Sequence, residues 1–149
     1  MPGRVIRKRI GELLVERKVV TPEQIESALK VQEAKGGLLG QILVSLGFVT
    51  EEAVAQAVTA QYSFPYLPLK SYTIDPELLR LIPENVARQY CLVPVDHIGD
   101  TLTIAMVDPL DVRVIEDIEM LSRCSVQVFI STGSEVMDAI RRSYGARHD

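Results

Sequence analysis

The chain has no tryptophan, three phenylalanines, two histidines and two cysteines among its 149 residues, and aromatic side chains make up 5% of it. Each scarcity removes a class of chemistry. His97 and His148 have no Cys, His or acidic partner at metal-ligand spacing, so a metal centre is not expected. Cys91 and Cys124 lie far apart at apolar positions in or beside expected strands, and read as reduced core thiols in a chain that folds without disulfides. No serine sits in a Gly-x-Ser-x-Gly elbow. No Gly-x-x-x-x-Gly-Lys-Ser/Thr loop is present to cradle phosphates, so ATP hydrolysis by this chain is not expected, and an enzyme is the least favoured reading. No window holds the roughly 18 to 20 apolar residues that span a bilayer, which argues against direct membrane insertion. The start of the sequence has no apolar signal stretch, so the expected location is cytoplasmic.

What is present is an ordinary globular composition, 47% apolar and 24% charged with a formal charge of −4. That suffices for one core or two small ones. The one basic cluster, Arg4, Arg7, Lys8 and Arg9, is too small for a broad DNA or RNA face.

Self-comparison is the most informative step. Residues 9–32 align without gaps to residues 38–61 at an offset of 29. Gly11 matches Gly40, Val15 matches Val44, Val20-Thr21 matches Val49-Thr50, Ala28 matches Ala57 and Gln32 matches Gln61. Ile10 and Leu39, Ile25 and Val54, and Leu29 and Val58 agree in kind and fall at helical spacing. Each copy therefore reads as two short helices and a turn. Gly47 suits a left-handed turn residue in copy two, where copy one has Lys18. Thr21 and Thr50 suit the N-caps of the second helices, with Pro22 at the first helical position and Gln24 at capping-box spacing.

Residues 62–69, rich in proline and aromatics, read as an extended strap between a helical unit, 1–68, and a second unit, 69–149. In the second unit, short helices are expected at 74–83 and 84–89. Strands follow at 91–97 and 101–106 about a Gly99-Asp100 turn, then a helix at 112–121 and a strand at 125–131. A last helix at 135–144 is expected to be N-capped by Ser134. The fold class is α+β: an N-terminal helical bundle of two repeated helical hairpins followed by a small mixed α/β domain of β-β-α-β-α order.

The two 24-residue segments, beginning Arg9-Ile10-Gly11 and Leu38-Leu39-Gly40, ending at Gln32 and Gln61 and five residues apart, resemble a known pattern. So do Ile74-Asp75-Pro76-Glu77-Leu78-Leu79 and Ala105-Met106-Val107-Asp108-Pro109-Leu110-Asp111. The chain resembles the N-terminal domain of type II secretion protein E and its type IV pilus ATPase relatives, including the subset that binds cyclic di-GMP. The resemblance implies a regulatory ligand rather than a cofactor. It implies contacts from Arg9, Ile10, Gly11, Ile25, Leu29 and Gln32 in copy one, and from Leu38, Leu39, Gly40, Val54, Val58 and Gln61 in copy two. Arg7 and Asp108 are further candidates.

Each residue also has a plainer reading. Arg9 can stack on guanine or meet a phosphate, or be a solvated arginine. Gln32 and Gln61 can read a guanine edge or cap a neighbouring helix end. Gly11 and Gly40 can admit a ligand or let two helices approach closely. Ile25, Leu29, Val54 and Val58 read first as core. Asp108 can accept from guanine N1–H and N2–H or cap a strand-to-helix turn. Leu38 departs from the motif, which has arginine there; one lost charge-assisted bond is worth on the order of 1.5 to 3 kcal/mol. Two functions follow: a cyclic di-GMP-sensing module of a secretion or pilus motor, or a domain that docks the ATPase or its inner-membrane platform protein without nucleotide. Leu38 favours the second, whereas Arg9, Gln32 and Gln61 favour the first.

Overall fold

The computed structural model describes residues 9–145. Copy one folds as α1 (Ile10–Glu16) and α2 (Pro22–Lys35), and copy two as α3 (Leu39–Ser45) and α4 (Glu51–Tyr62). Thr21 and Thr50 are the N-caps of α2 and α4, accepting from the backbone N–H of Gln24 and Ala53, and Gln24 returns a bond to the Thr21 N–H. The turns are the same in both copies. Lys18 N–H donates to the Val15 carbonyl at 2.9 Å and Val19 N–H to Leu14 at 2.9 Å. At the offset of 29, Gly47 N–H donates to Val44 at 3.0 Å and Phe48 N–H to Leu43 at 3.0 Å. Both turn residues are left-handed, Gly47 at φ 79 and Lys18 at φ 60, so the lysine adopts a conformation that glycine enters without steric cost.

The second half begins with a 3-10 turn, Pro76–Arg80, and α5 (Glu84–Tyr90). Strands β1 (Leu92–Ile98) and β2 (Thr101–Met106) form an antiparallel hairpin about Gly99, which has φ 58. α6 (Val112–Ser122) crosses over to β3 (Ser125–Ile130), parallel to β2, and α7 (Gly133–Tyr144) follows. The sheet order is β1-β2-β3. The α+β class and the β-β-α-β-α order are as expected. Four local expectations are corrected. The helix expected at 74–83 shrinks to a short 3-10 helix, held by bonds from the Leu78 N–H to the Asp75 carbonyl and from the Leu81 N–H to the Leu78 carbonyl, and Pro83, which has no N–H to donate, cannot extend it. α7 is capped by Thr132 rather than Ser134, because Glu135 sits three residues after Thr132 and closes a capping box. Cys91 is not in a strand but ends α5 at φ 52, and Cys124 precedes β3 half-buried. The strap is helical as far as Tyr62, where Ser63 at φ 59 stops α4.

Two apolar clusters form. The helical one holds Leu13, Leu14, Leu43, Val54 and Val58, and the other holds Ile82, Leu92, Leu102, Ile104, Ile118 and Ile140. They are not sealed from one another. Leu110 and Ile130, from the second half, belong to the helical cluster, while Leu38 packs against the second one. The strap runs beside β3, with Ile130 N–H donating to Pro65 and Leu67 N–H donating back to Ile130.

Candidate functional site

The repeat explains its own glycines. A Cβ on Gly11 would lie 3.0 Å from Leu39 Cδ2 and 3.5 Å from Ile25 Cδ1. A Cβ on Gly40 would lie 3.4 Å from Ile10 Cδ1 and 3.9 Å from Val54 Cγ1. These are the same two contacts shifted by 29 residues: each glycine faces the other copy's first-helix residue and its own copy's second-helix residue. The two hairpins thus pack as a pseudo-symmetric pair, and close helix approach accounts for both glycines without a ligand.

Around this pair the candidate residues separate into an inner and an outer set. Ile10, Gly11, Gly40, Val54 and Val58 are buried, with Ile25 and Leu39 half-buried against them. Leu29 departs from the core reading at 46% exposed, because it faces away from the stripe that Ala28 buries. Arg9 is exposed at the N-cap of α1, where its backbone N–H donates to Glu12. Gln32 donates through Nε2 to the Gly37 carbonyl at 2.9 Å, so it ties the end of α2 to the segment leading into α3. Leu39 then touches the Gly11 position, so the start of α1, the end of α2 and the start of α3 converge. Gln61 is exposed on the last turn of α4. Leu38 is half-buried and turned toward the second cluster. Arg7 lies outside the described residues.

Asp108 sits in the turn between β2 and α6 and accepts from the Leu110 N–H at 3.0 Å. It keeps part of its surface in water, yet the atoms crowding its carboxylate desolvate it enough to push its pKa up to about 6, with Asp111 adding to the rise and the Leu110 bond opposing it. Leu110 is buried in the helical cluster, so this turn of the second half is anchored on the repeat. The capping role nearby belongs to Asp111, which accepts from the Arg113 N–H.

Several residues at the contact between the halves had no individual signal in the sequence. Glu51, in the first turn of α4, accepts from the Ser134 backbone N–H at 2.7 Å and from its hydroxyl at 2.8 and 2.9 Å. Gln41 donates to Cys91 Sγ at 3.1 Å. Burial pushes the Cys91 thiol up to about 11, the Gln41 bond only partly opposing it. Glu135 takes bonds from Tyr66, Thr132 and the Leu69 N–H; although burial acts to raise its pKa, these bonds outweigh it and the net shift is downward. His97 is exposed, and its Nε2 lies 3.5 Å from Cys124 Sγ. No cluster of three or more metal-ligating side chains occurs among the described residues, and no described helix is long and apolar enough to cross a membrane.

The chain is 29% identical over 139 residues to the type IV pilus assembly ATPase PilB of Myxococcus xanthus, covering 93% of this chain and 25% of that protein. It is 33% identical over 139 residues to PilB of Thermus thermophilus, covering 92% of this chain and 16% of that protein. It thus spans a quarter or less of these relatives. Among solved structures, that of MshE with cdg, cyclic di-GMP, superposes with a TM-score of 0.66 at 34% identity, covering 93% of this chain and all of that one. The family model for the MshEN domain matches residues 62–149, more than half of the sequence. The chain belongs to the MshEN domain family.

Proposed function

We propose that this chain is a non-catalytic, cytoplasmic regulatory module of a type IV pilus or type II secretion motor, divided near residue 68, that binds cyclic di-GMP on its repeat. The observation that carries the reading is the pseudo-symmetric pairing of the two hairpins. It brings Arg9, Gln32 and Leu39 to the edges of one apolar seam, an arrangement suited to a ligand with two flat bases and two phosphates. The likeness to MshE with cdg supports the same ligand class. In this reading Arg9 supplies a planar cation for guanine or phosphate, Gln32 exchanges its bond to Gly37 for a ligand edge, and the half-buried Ile25 and Leu39 with exposed Leu29 give apolar surface for a base. Bound ligand then shifts the population of arrangements of the two halves.

Calorimetric titration with cyclic di-GMP tests this. Arg9→Ala and Gln32→Ala are each expected to weaken binding about ten-fold or more, the loss of one charge-assisted or well-placed polar bond. Affinity unaltered by either substitution would move the site elsewhere. The docking alternative is favoured by one observation, the packing of Leu38 against the second cluster where the motif has arginine. Absence of heat with cyclic di-GMP, alongside capture of a purified motor or platform protein, would favour it.

A further inference from the structure

Four positions at which the second copy of the repeat departs from the first also change together in exposure. Arg9, Glu12, Pro22 and Glu26 are exposed in copy one. Twenty-nine residues on, Leu38, Gln41 and Glu51 are half-buried and Ala55 is buried. What covers them is the α/β half. Leu38 packs on its core, and Gln41, Glu51 and Ala55 line a crevice closed from the other side by Val107, Thr132 and Gly133.

The chemistry follows the change in surroundings. An arginine has become leucine and two glutamates have become glutamine and alanine, which is what turning a wetted helix face into an interface requires. The charge that copy two gains, Glu51, is placed on the first turn of α7, where the N–H of Ser134 and the positive end of the helix receive it. A Cβ at Gly133 would fall on the Gln41 amide, so that amide lies against the start of α7 because residue 133 has no side chain. Beneath that amide lies Cys91, 3% exposed.

We infer that the second hairpin is a joint that clamps the helical half onto the start of α7, opening and closing as a unit with Cys91 sealed under Gln41. Copy one has no such joint, since its equivalent positions face water. Gly40 and Val54, which the family resemblance implies as nucleotide contacts, line the same crevice, so occupancy of the repeat is read by α7 through this joint. That last step rests on the proposed function; the joint itself does not.

The test uses the 149-residue chain carrying Cys124→Ser, which leaves Cys91 as the one thiol, and follows the rate of its reaction with an aromatic disulfide reagent. Gly133→Ala displaces the Gln41 amide, and Glu51→Gln removes the charge at nearly constant volume. Each is expected to speed Cys91 labelling about ten-fold or more while a cooperative melting transition is retained, the signature of local opening. Cyclic di-GMP is expected to change the labelling rate of the parent. If Gly133→Ala does not fold, Glu51→Gln decides. Labelling at the parent rate in every folded variant overturns the joint. Nucleotide that binds by calorimetry but leaves labelling unaltered overturns the coupling alone, and nucleotide that does not bind overturns the functional reading while the variants still judge the joint.

Discussion

Lys18 shows how a repeat constrains single residues. It makes the hydrogen bonds that Gly47 makes in the other copy, at φ 60, a region where an L side chain crowds its own carbonyl. Lys18→Gly is expected to raise stability by about 0.5 to 1 kcal/mol, the steric relief of about 1 to 2 kcal/mol being partly offset by the greater freedom glycine gives the unfolded chain. Denaturant unfolding measures this directly. Asp108 carries the opposite kind of strain. Its carboxyl is harder to ionise folded, at about 6, than unfolded, at 3.8, so the folded chain holds that proton more tightly. Its contribution therefore favours folding at low pH and declines as pH rises from about 4 to about 6. Asp108→Asn keeps an acceptor for the Leu110 N–H and is expected to stabilise by about 1 to 2 kcal/mol at pH 7, with no gain at pH 4. If Asp108 also meets guanine, the same substitution weakens cyclic di-GMP binding, and stability and affinity move in opposite directions.

Among the elements, α3 is the one whose two faces have different duties. Gly40 faces copy one, whereas Leu38 and Gln41 face the second half. Leu38→Arg restores the arginine of the motif, but it places a guanidinium where leucine packs against Leu-, Ile- and Val-rich surface. Because the site is half-buried, the long side chain reaches water at a cost of about 1 to 2 kcal/mol in lost packing, within the usual range for a disturbed contact. The expected outcome is a lower Tm with unaltered affinity for cyclic di-GMP. A ten-fold tighter complex without loss of Tm would instead make Leu38 a degenerate ligand position and remove it from the joint. α7 is gripped at its first turn by Thr132, Glu135 and Glu51 together, and the Tyr66 hydroxyl, pushed up to about 12 by burial and by Glu135, fastens the strap to the same turn.

Across the full chain the two clusters share residues: Val128 packs against both, and Leu110, Ile130 and Leu38 each cross from one half to the other. Neither half can melt without exposing apolar surface of its neighbour. Heat unfolding is therefore expected to be one transition, with calorimetric and van't Hoff enthalpies in agreement. Two resolved transitions, or early loss of helix signal with the sheet intact, would mean that the shared residues contribute little and that the halves are thermodynamically separate. The joint around Gln41 and Gly133 opens below that transition, because local openings that expose few apolar groups need less free energy than global unfolding.

Local periodicity and capping chemistry settle most of the architecture without any tertiary information. The offset of 29, the caps Thr21 and Thr50, the left-handed Gly47 and the Gly99 turn each act over a handful of residues, so the hairpins and the β-β-α-β-α order are legible in the chain. The cap of α7 lies two residues before the expected Ser134, because Ser134 and Thr132 are chemically alike and the choice between them rests on which one Glu135 can reach. The two roles open for Gly11 and Gly40 were divided by packing, since the partner of each lies in the other copy. What the sequence could not carry is the meaning of the differences between copies. Leu38, Gln41, Glu51 and Ala55 look like drift in a degenerate repeat until the second core and the start of α7 are laid against them. An interface is a property of two surfaces brought together by long-range contacts, and the repeat pattern describes only one of those surfaces.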